Sequence, residues 1–181
     1  MTRSKTVFAS FLLLLVVFLV THVAKFPGNV AYLREITGGQ AMLDMKPSFS
    51  AEETYQRLEA FGDVGRKMYM RTILTVDFVF PLTAFLFLFL WSRYASDRVE
   101  LRASLRKALL SLSIAYVVLD FMENLFILTM LSNFPARLQL PGRYIGYLTL
   151  GKRICMLSAL VLPAILLLVA KAPALFRGKS A

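Results

Sequence analysis

Acid, cysteine and histidine are all scarce in this chain. Its 181 residues carry 21 Lys and Arg against 11 Asp and Glu, with one Cys, one His and one Trp. The single Cys155 excludes an intramolecular disulfide, a CxxC redox pair and a cysteine-based zinc site. With His22 as the only histidine, nitrogen-rich zinc centres and a serine triad are poorly supported, and neither a metal centre nor a cofactor is expected. Charge is thin overall, at 18% of residues, where a soluble domain has about a quarter. What fills the space is apolar: 57% of residues are hydrophobic and the mean hydropathy is +0.63. A bilayer suits that composition better than water does.

Four apolar runs approach the roughly 20 residues needed to cross a hydrocarbon core. They are Val7–Ala24, Thr72–Trp91, Ala108–Leu131 and Tyr147–Ala170. We therefore expect an all-α, polytopic membrane protein, a four-helix bundle forming one domain over residues 1–181. The net charge of +10 comes largely from residues flanking the spans: Arg3 and Lys5; Arg93, Arg98, Arg102, Arg106 and Lys107; Lys171, Arg177 and Lys179. Such clusters orient helices and meet anionic head groups. Nucleic acid is not an expected partner, because the basic residues never interleave with exposed aromatics. The clusters share one side, so both termini are expected in the cytoplasm of a multi-pass cell-membrane protein. Arg3 and Lys5 before an apolar run also suit a signal peptide. His22 stands where cleavage after Ala24 would require a small residue, so a retained helix is the expectation.

The long Lys25–Arg71 connection should then lie outside. Ser50-Ala-Glu-Glu53 reads as a capping box, and Tyr55, Leu58 and Phe61 follow at helical spacing until Gly62. Asp63 can start a second helix running into the second span. A helical hairpin over residues 50–71 is expected to lie on the outer mouth of the bundle. Gly38-Gly39 and Lys46-Pro47 mark looser chain before it. Pro81 and Pro163 fall inside spans, where each frees a carbonyl and tends to kink its helix. Gly142 and Gly146 have helix-packing spacing.

Against this background the intramembrane polar residues stand out. Asp77, Asp120 and Glu123 lie inside spans, where carboxylates are costly and usually face the bundle interior. Counting at about 1.5 Å per residue puts Asp77 about 8 Å, Asn124 about 10 Å, Glu123 about 12 Å and Asp120 about 16 Å below one face. Arg153 falls roughly 6–9 Å into the fourth span from that same face, Lys152 just above it, and His22 ends the first span there. Asp120, Glu123 and Asn124 share one helical face, extended by Tyr116 and Ile127; Asp77 shares its stripe with Ile73, Leu74 and Pro81. Lys152 and Arg153 point about 100° apart, so there is room for one of them to enter the site. Three acids against two bases leave one negative charge. Protonation of a carboxyl or of His22, a bound cation or a cationic ligand would each remove it.

A buried carboxyl pair can divide the roles of general acid and base, and acids at this spacing can also ligate a divalent cation through oxygen. The expected catalytic candidates are Asp77, Asp120 and Glu123. Asn124, Arg153, Lys152, Tyr116 and His22 are the expected ligand-binding set, although His22 alone also reads as an interfacial residue. An alternative is that Arg153 locks the second and third spans together through Asp77 and Glu123, with no ligand. A cation or proton-coupled carrier is a third possibility. It is disfavoured because the inner half-spans offer little beyond Thr83, Ser111 and Ser113.

The stretch from Leu43-Asp44-Met45, through Ser50-Ala-Glu-Glu-Thr-Tyr and Gly65-Arg66-Lys67-Met68-Tyr69, to Asp77-Phe-Val-Phe-Pro81, with Asp120-Phe-Met-Glu-Asn124, carries a resemblance that extends over about half the chain. In these segments the chain resembles a group of four-span bacterial membrane proteins without an assigned activity. The resemblance implies architecture only. A looser fold-level similarity is to the EXPERA group of sterol isomerases and the sigma-2 receptor, four-helix proteins with acids facing a ligand cavity. The expected partners are membrane lipids and an amphiphilic, lipid-like small molecule held at an outward-facing acidic site.

Overall fold

The four apolar runs become four helices longer than the runs themselves. The computed structural model describes residues 2–177, with side chains to residue 171. Arg177 in its side chain, and Lys179 altogether, lie outside the described residues. Helix α1 (Arg3–Phe18) ends in a π-helical turn over Leu19–Val23. Short helices α2 (Val30–Ile36) and α3 (Ala51–Ala60) follow, then the long α4 (Gly62–Arg98), α5 (Ala103–Asn133) and α6 (Gln139–Arg177). No strand occurs among the described residues. Four helices are long and apolar enough to cross a membrane, and their outward faces carry residues such as Phe8, Phe78, Leu125 and Leu168. The chain is an integral membrane helical bundle.

Helix α4 has 37 residues, about 55 Å of helix against a hydrocarbon core of about 30 Å. Its first turns therefore stand beyond the core and pair with α3 as the expected hairpin. Ser50 caps α3 by accepting from the Glu53 amide at 3.1 Å. Gly62 breaks the two helices apart at φ +63°, a left-handed conformation that glycine adopts at little cost. The sequence does not announce α2, which sits between signals for loose chain. Asn29 builds it by accepting from the Tyr32 amide at 2.9 Å.

Two apolar clusters organise the packing. The larger, with Leu33, Leu43, Tyr55, Tyr69, Ile127 and Met130, joins the hairpin to α4, α5 and α6. The smaller, around Ala84, Phe87, Leu88, Tyr116 and Ala159, lies farther along the bundle. Helix α5 packs along both α4 and α6, whereas α1 packs along α4 with no extended contact to α5 or α6 among the described residues. The polar residues occupy the layer between the clusters.

Both intramembrane prolines are answered by a neighbouring helix. Pro81 cannot donate to the carbonyl of Asp77, four residues earlier. Asn124 Nδ2 of α5 donates to that oxygen instead, at 3.3 Å. Pro163 likewise frees the carbonyl of Ala159, to which Ser92 Oγ donates at 3.5 Å. Trp91 Nε1 donates to the adjacent Leu160 carbonyl at 3.0 Å. Each proline thus becomes a cross-link between spans, which is how membrane helices tolerate one.

Gly142 and Gly146 pack α6 against the hairpin rather than against another span. A Cβ on Gly146 would collide with the Ser48 carbonyl oxygen, and one on Gly142 would lie 3.0 Å from Ala51 Cα. Thr54 Oγ1 seals the contact by donating to the Gly142 carbonyl at 2.8 Å. Gly146→Ala should therefore destabilise the protein by about 1–3 kcal/mol. Thermal unfolding in detergent measures the loss, and faster chymotryptic cleavage after Phe49, which packs beside Gly146, would report the loosened loop.

Candidate functional site

Helix α5 supplies one polar stripe. Tyr116, Asp120, Glu123, Asn124 and Ile127 are all buried, as their common helical face requires. On α4 the expected stripe needs one correction. Ile73, Asp77 and Pro81 are buried at strict i, i+4 spacing, but Leu74 is 64% exposed, because a residue three positions before Asp77 turns outward here. Helix α6 contributes Lys152 and Arg153, and the π turn after α1 contributes His22.

Two of the three acids are fully engaged. Lys152 Nζ lies 2.8 Å from Asp120 Oδ1 and also pairs with Glu123 Oε2. Asn124 Nδ2 donates to Asp120 Oδ2 at 3.2 Å, and the Thr149 hydroxyl donates to Glu123 Oε1. Asp120 thus has a hydrogen-bond partner at each oxygen, whereas Glu123 Oε2 makes no hydrogen bond and is held by its ion pair with Lys152 alone. Asn124 divides its amide between Asp120 and the Asp77 carbonyl, so a single side chain ties α5 to α4 while Lys152 ties it to α6.

Asp77 is different. Its residue is 8% exposed, yet its carboxylate makes no hydrogen bond or ion pair among the described residues, and Oδ2 is fully buried. It lines a cavity of ≈ 120 Å³ together with His22, Asp44, Tyr116, Asp120, Asn124, Lys152 and Arg153. Phe80, Pro81 and Met156 complete the wall. The cavity holds a handful of waters or one small polar group. It is well below the roughly 300 Å³ at which sites for whole drug-sized ligands begin.

The expected residues are thus brought together, with redistributed roles. Glu123 does not line the cavity; it is wholly buried against Lys152 and Thr149. Arg153 does not bridge Asp77 and Glu123. It donates to the backbone carbonyls of Asp44, at 3.1 Å, and of Met45. Lys152 takes the carboxylates instead, because adjacent helical residues diverge. His22 is stacked on Phe18 at 4.9 Å and meets the edge of Phe80 at 4.7 Å, with Nδ1 at 2.7 Å from Thr21 Oγ1.

Asp44 is the cavity residue that reading the spans missed. It comes from the hairpin connection, carried in by the turn that Arg153 holds. Tyr69 OH donates to Asp44 Oδ1 at 3.1 Å and accepts from the Leu43 amide at 2.8 Å. The available signal was the Leu43-Asp44-Met45 motif itself, a lone acid within the apolar run Ala41-Met42-Leu43-Asp44-Met45. No three His, Cys, Asp or Glu side chains among the described residues are grouped as a metal ion would need. Counted as ionised, the cavity's Asp44, Asp77 and Asp120 stand against Lys152 and Arg153, leaving one negative charge on its wall.

Removing the shared cation should expose the cost of this layer. Lys152→Met leaves Asp120 and Glu123 buried without a counter-charge and is expected to lower unfolding free energy by about 3–5 kcal/mol, measured by denaturant titration in mixed micelles. The proline cross-link is tested by a double-mutant cycle. Asn124→Leu should destabilise strongly on its own, and less when Pro81→Ala restores an amide donor for the Asp77 carbonyl. The expected coupling is about 0.5–3 kcal/mol. No family model, curated protein or solved structure matches this chain, so its function is read from this geometry.

Proposed function

We propose that this membrane protein binds an amphiphilic, lipid-like molecule through an acidic intramembrane pocket, taking a cationic or hydrogen-bond-donating head group. The observation that carries the reading is the unpartnered Asp77 carboxylate on the cavity wall. An ionised group buried without partners costs several kcal/mol, and the two other acids in the same layer both have Lys152 as a counter-charge, which Asp77 lacks. A head-group donor would complete Asp77, and a cation would also offset the surplus negative charge. The cavity's ≈ 120 Å³ suits a head group, leaving an apolar chain to lie against the bundle. Asp44, Asn124 and Tyr116 would orient the head, and the ring of His22 would face it. Asp77 is also the group placed to accept a proton from a bound donor, should the ligand be processed as well as held.

The end of the bundle covered by α2 and α3 is assigned to the outside of the cell membrane, with the termini cytoplasmic. The assignment rests on the basic residues around Arg3, Arg98 and Arg106 at the opposite end. A second reading, that the polar layer only fixes helix packing, is favoured by Lys152 bridging Asp120 and Glu123. It accounts for those two acids and leaves Asp77 without a purpose.

Binding of dodecyltrimethylammonium to the purified chain in a nonionic detergent separates the readings. Asp77→Asn should weaken it by at least about tenfold with little change in unfolding temperature. Asp120→Asn should instead lower unfolding temperature. Equal affinity of wild type and Asp77→Asn for the probe would sink the ligand reading in favour of packing.

A further inference from the structure

A second opening lies in the other half of the bundle. Because α1 leans on α4 alone, it stands apart from α6, and a groove of ≈ 750 Å³ runs between them over the floor of α4. Phe8 and Phe11 form one wall, Leu160 and Leu168 the other, and Phe87 and Trp91 the floor. A packed layer that includes Leu14, Ala84, Met156 and Ala159 lies between this groove and the acidic cavity. The two are therefore separate sites.

The far mouth of the groove is basic. Val7 and Tyr94 line it and also line an adjoining opening of ≈ 190 Å³ bordered by Arg3 and Arg93. Arg93 is exposed and makes no hydrogen bond or ion pair among the described residues. Arg3 pairs with Asp97, which also takes Arg106 at 3.0 Å, so one acid serves two arginines there. Along α6 the wall from Leu160 to Leu168 spans about 12 Å, most of the roughly 15 Å depth of one hydrocarbon leaflet.

We propose that this groove binds one anionic phospholipid, its acyl chain between α1 and α6 and its phosphate at Arg93 and Arg3. Apolar walls of leaflet depth match an acyl chain, and the planar guanidinium fork matches phosphate. The basic mouth favours this occupant over a second copy of the chain, whose own spans carry like charge at that end.

Native mass spectrometry of the full chain in detergent, titrated with dioleoylphosphatidylglycerol or dioleoylphosphatidylcholine, tests the assignment. One phosphatidylglycerol should bind about fivefold or more tightly than phosphatidylcholine. Arg93→Gln should erase about fivefold of that preference without altering helicity or unfolding temperature, since Arg93 supports nothing in the fold. Ala164→Trp should fill the groove and reduce binding of both lipids. Lys107→Gln, a charge loss away from the groove, should change neither. Equal affinity for the two lipids, an Arg93→Gln variant indistinguishable from wild type, or a dimer that Ala164→Trp dissociates would overturn the proposal.

Discussion

Lys152 stands against Asp120 and Glu123 in a layer set between two apolar clusters, where few groups could take the place of a missing partner. Remove the lysine charge and two carboxylates of α5 are stranded; remove the carboxylates and a buried ammonium is stranded. Helices α5 and α6 must therefore meet in one register, with this contact at one height. The apolar clusters on either side of the layer could tolerate a shift, since one aliphatic contact resembles the next. A lysine paired with two carboxylates at once cannot shift by a turn without leaving an unpaired charge.

The same accounting of polar groups governs the prolines. Pro81 removes a donor from α4 and creates a demand, and Asn124 on α5 meets it. Pro163 does so on α6, and Ser92 on α4 responds. Three spans are thereby linked pairwise by polar contacts: α4 with α5, α5 with α6, and α4 with α6. The first span has no such link to α5 or α6 among the described residues; it is tied to α4 by the Arg3–Asp97 ion pair at its start and otherwise leans on it through aromatic and aliphatic contact. Its looser attachment is what leaves the groove beside it.

Asp77 gains meaning from its neighbours' saturation. Three intramembrane acids look equivalent along the chain, yet one arrangement satisfies two of them and withholds partners from the third. The connection before the hairpin then adds Asp44 to the cavity wall beside Asp77 and Asp120, because Arg153 holds the turn around Asp44 and Tyr69 fixes the side chain. On the reading proposed above, the one buried carboxylate without a counter-charge is where a ligand's head group would bind.

Much of this was legible along the chain. Apolar length specified four spans, because a hydrocarbon core admits little else. Helical periodicity put Tyr116, Asp120, Glu123 and Asn124 on one face, and the rise per residue put Asp77, His22 and Lys152 at compatible depths. The cap at Ser50 and the break at Gly62 marked the hairpin, because those signals are local. The short α2 was hidden, as its seven residues are held by Asn29 and by packing rather than by periodicity. Partner choice was hidden too. Nothing local says that Lys152 and not Arg153 takes the carboxylates, that Leu74 turns away from Asp77, or that Asn124 reaches the carbonyl Pro81 frees. Length, depth and helical face follow from backbone geometry and can be counted along one chain. Which polar group meets which depends on how four helices rotate against each other, and only the packed bundle decides that.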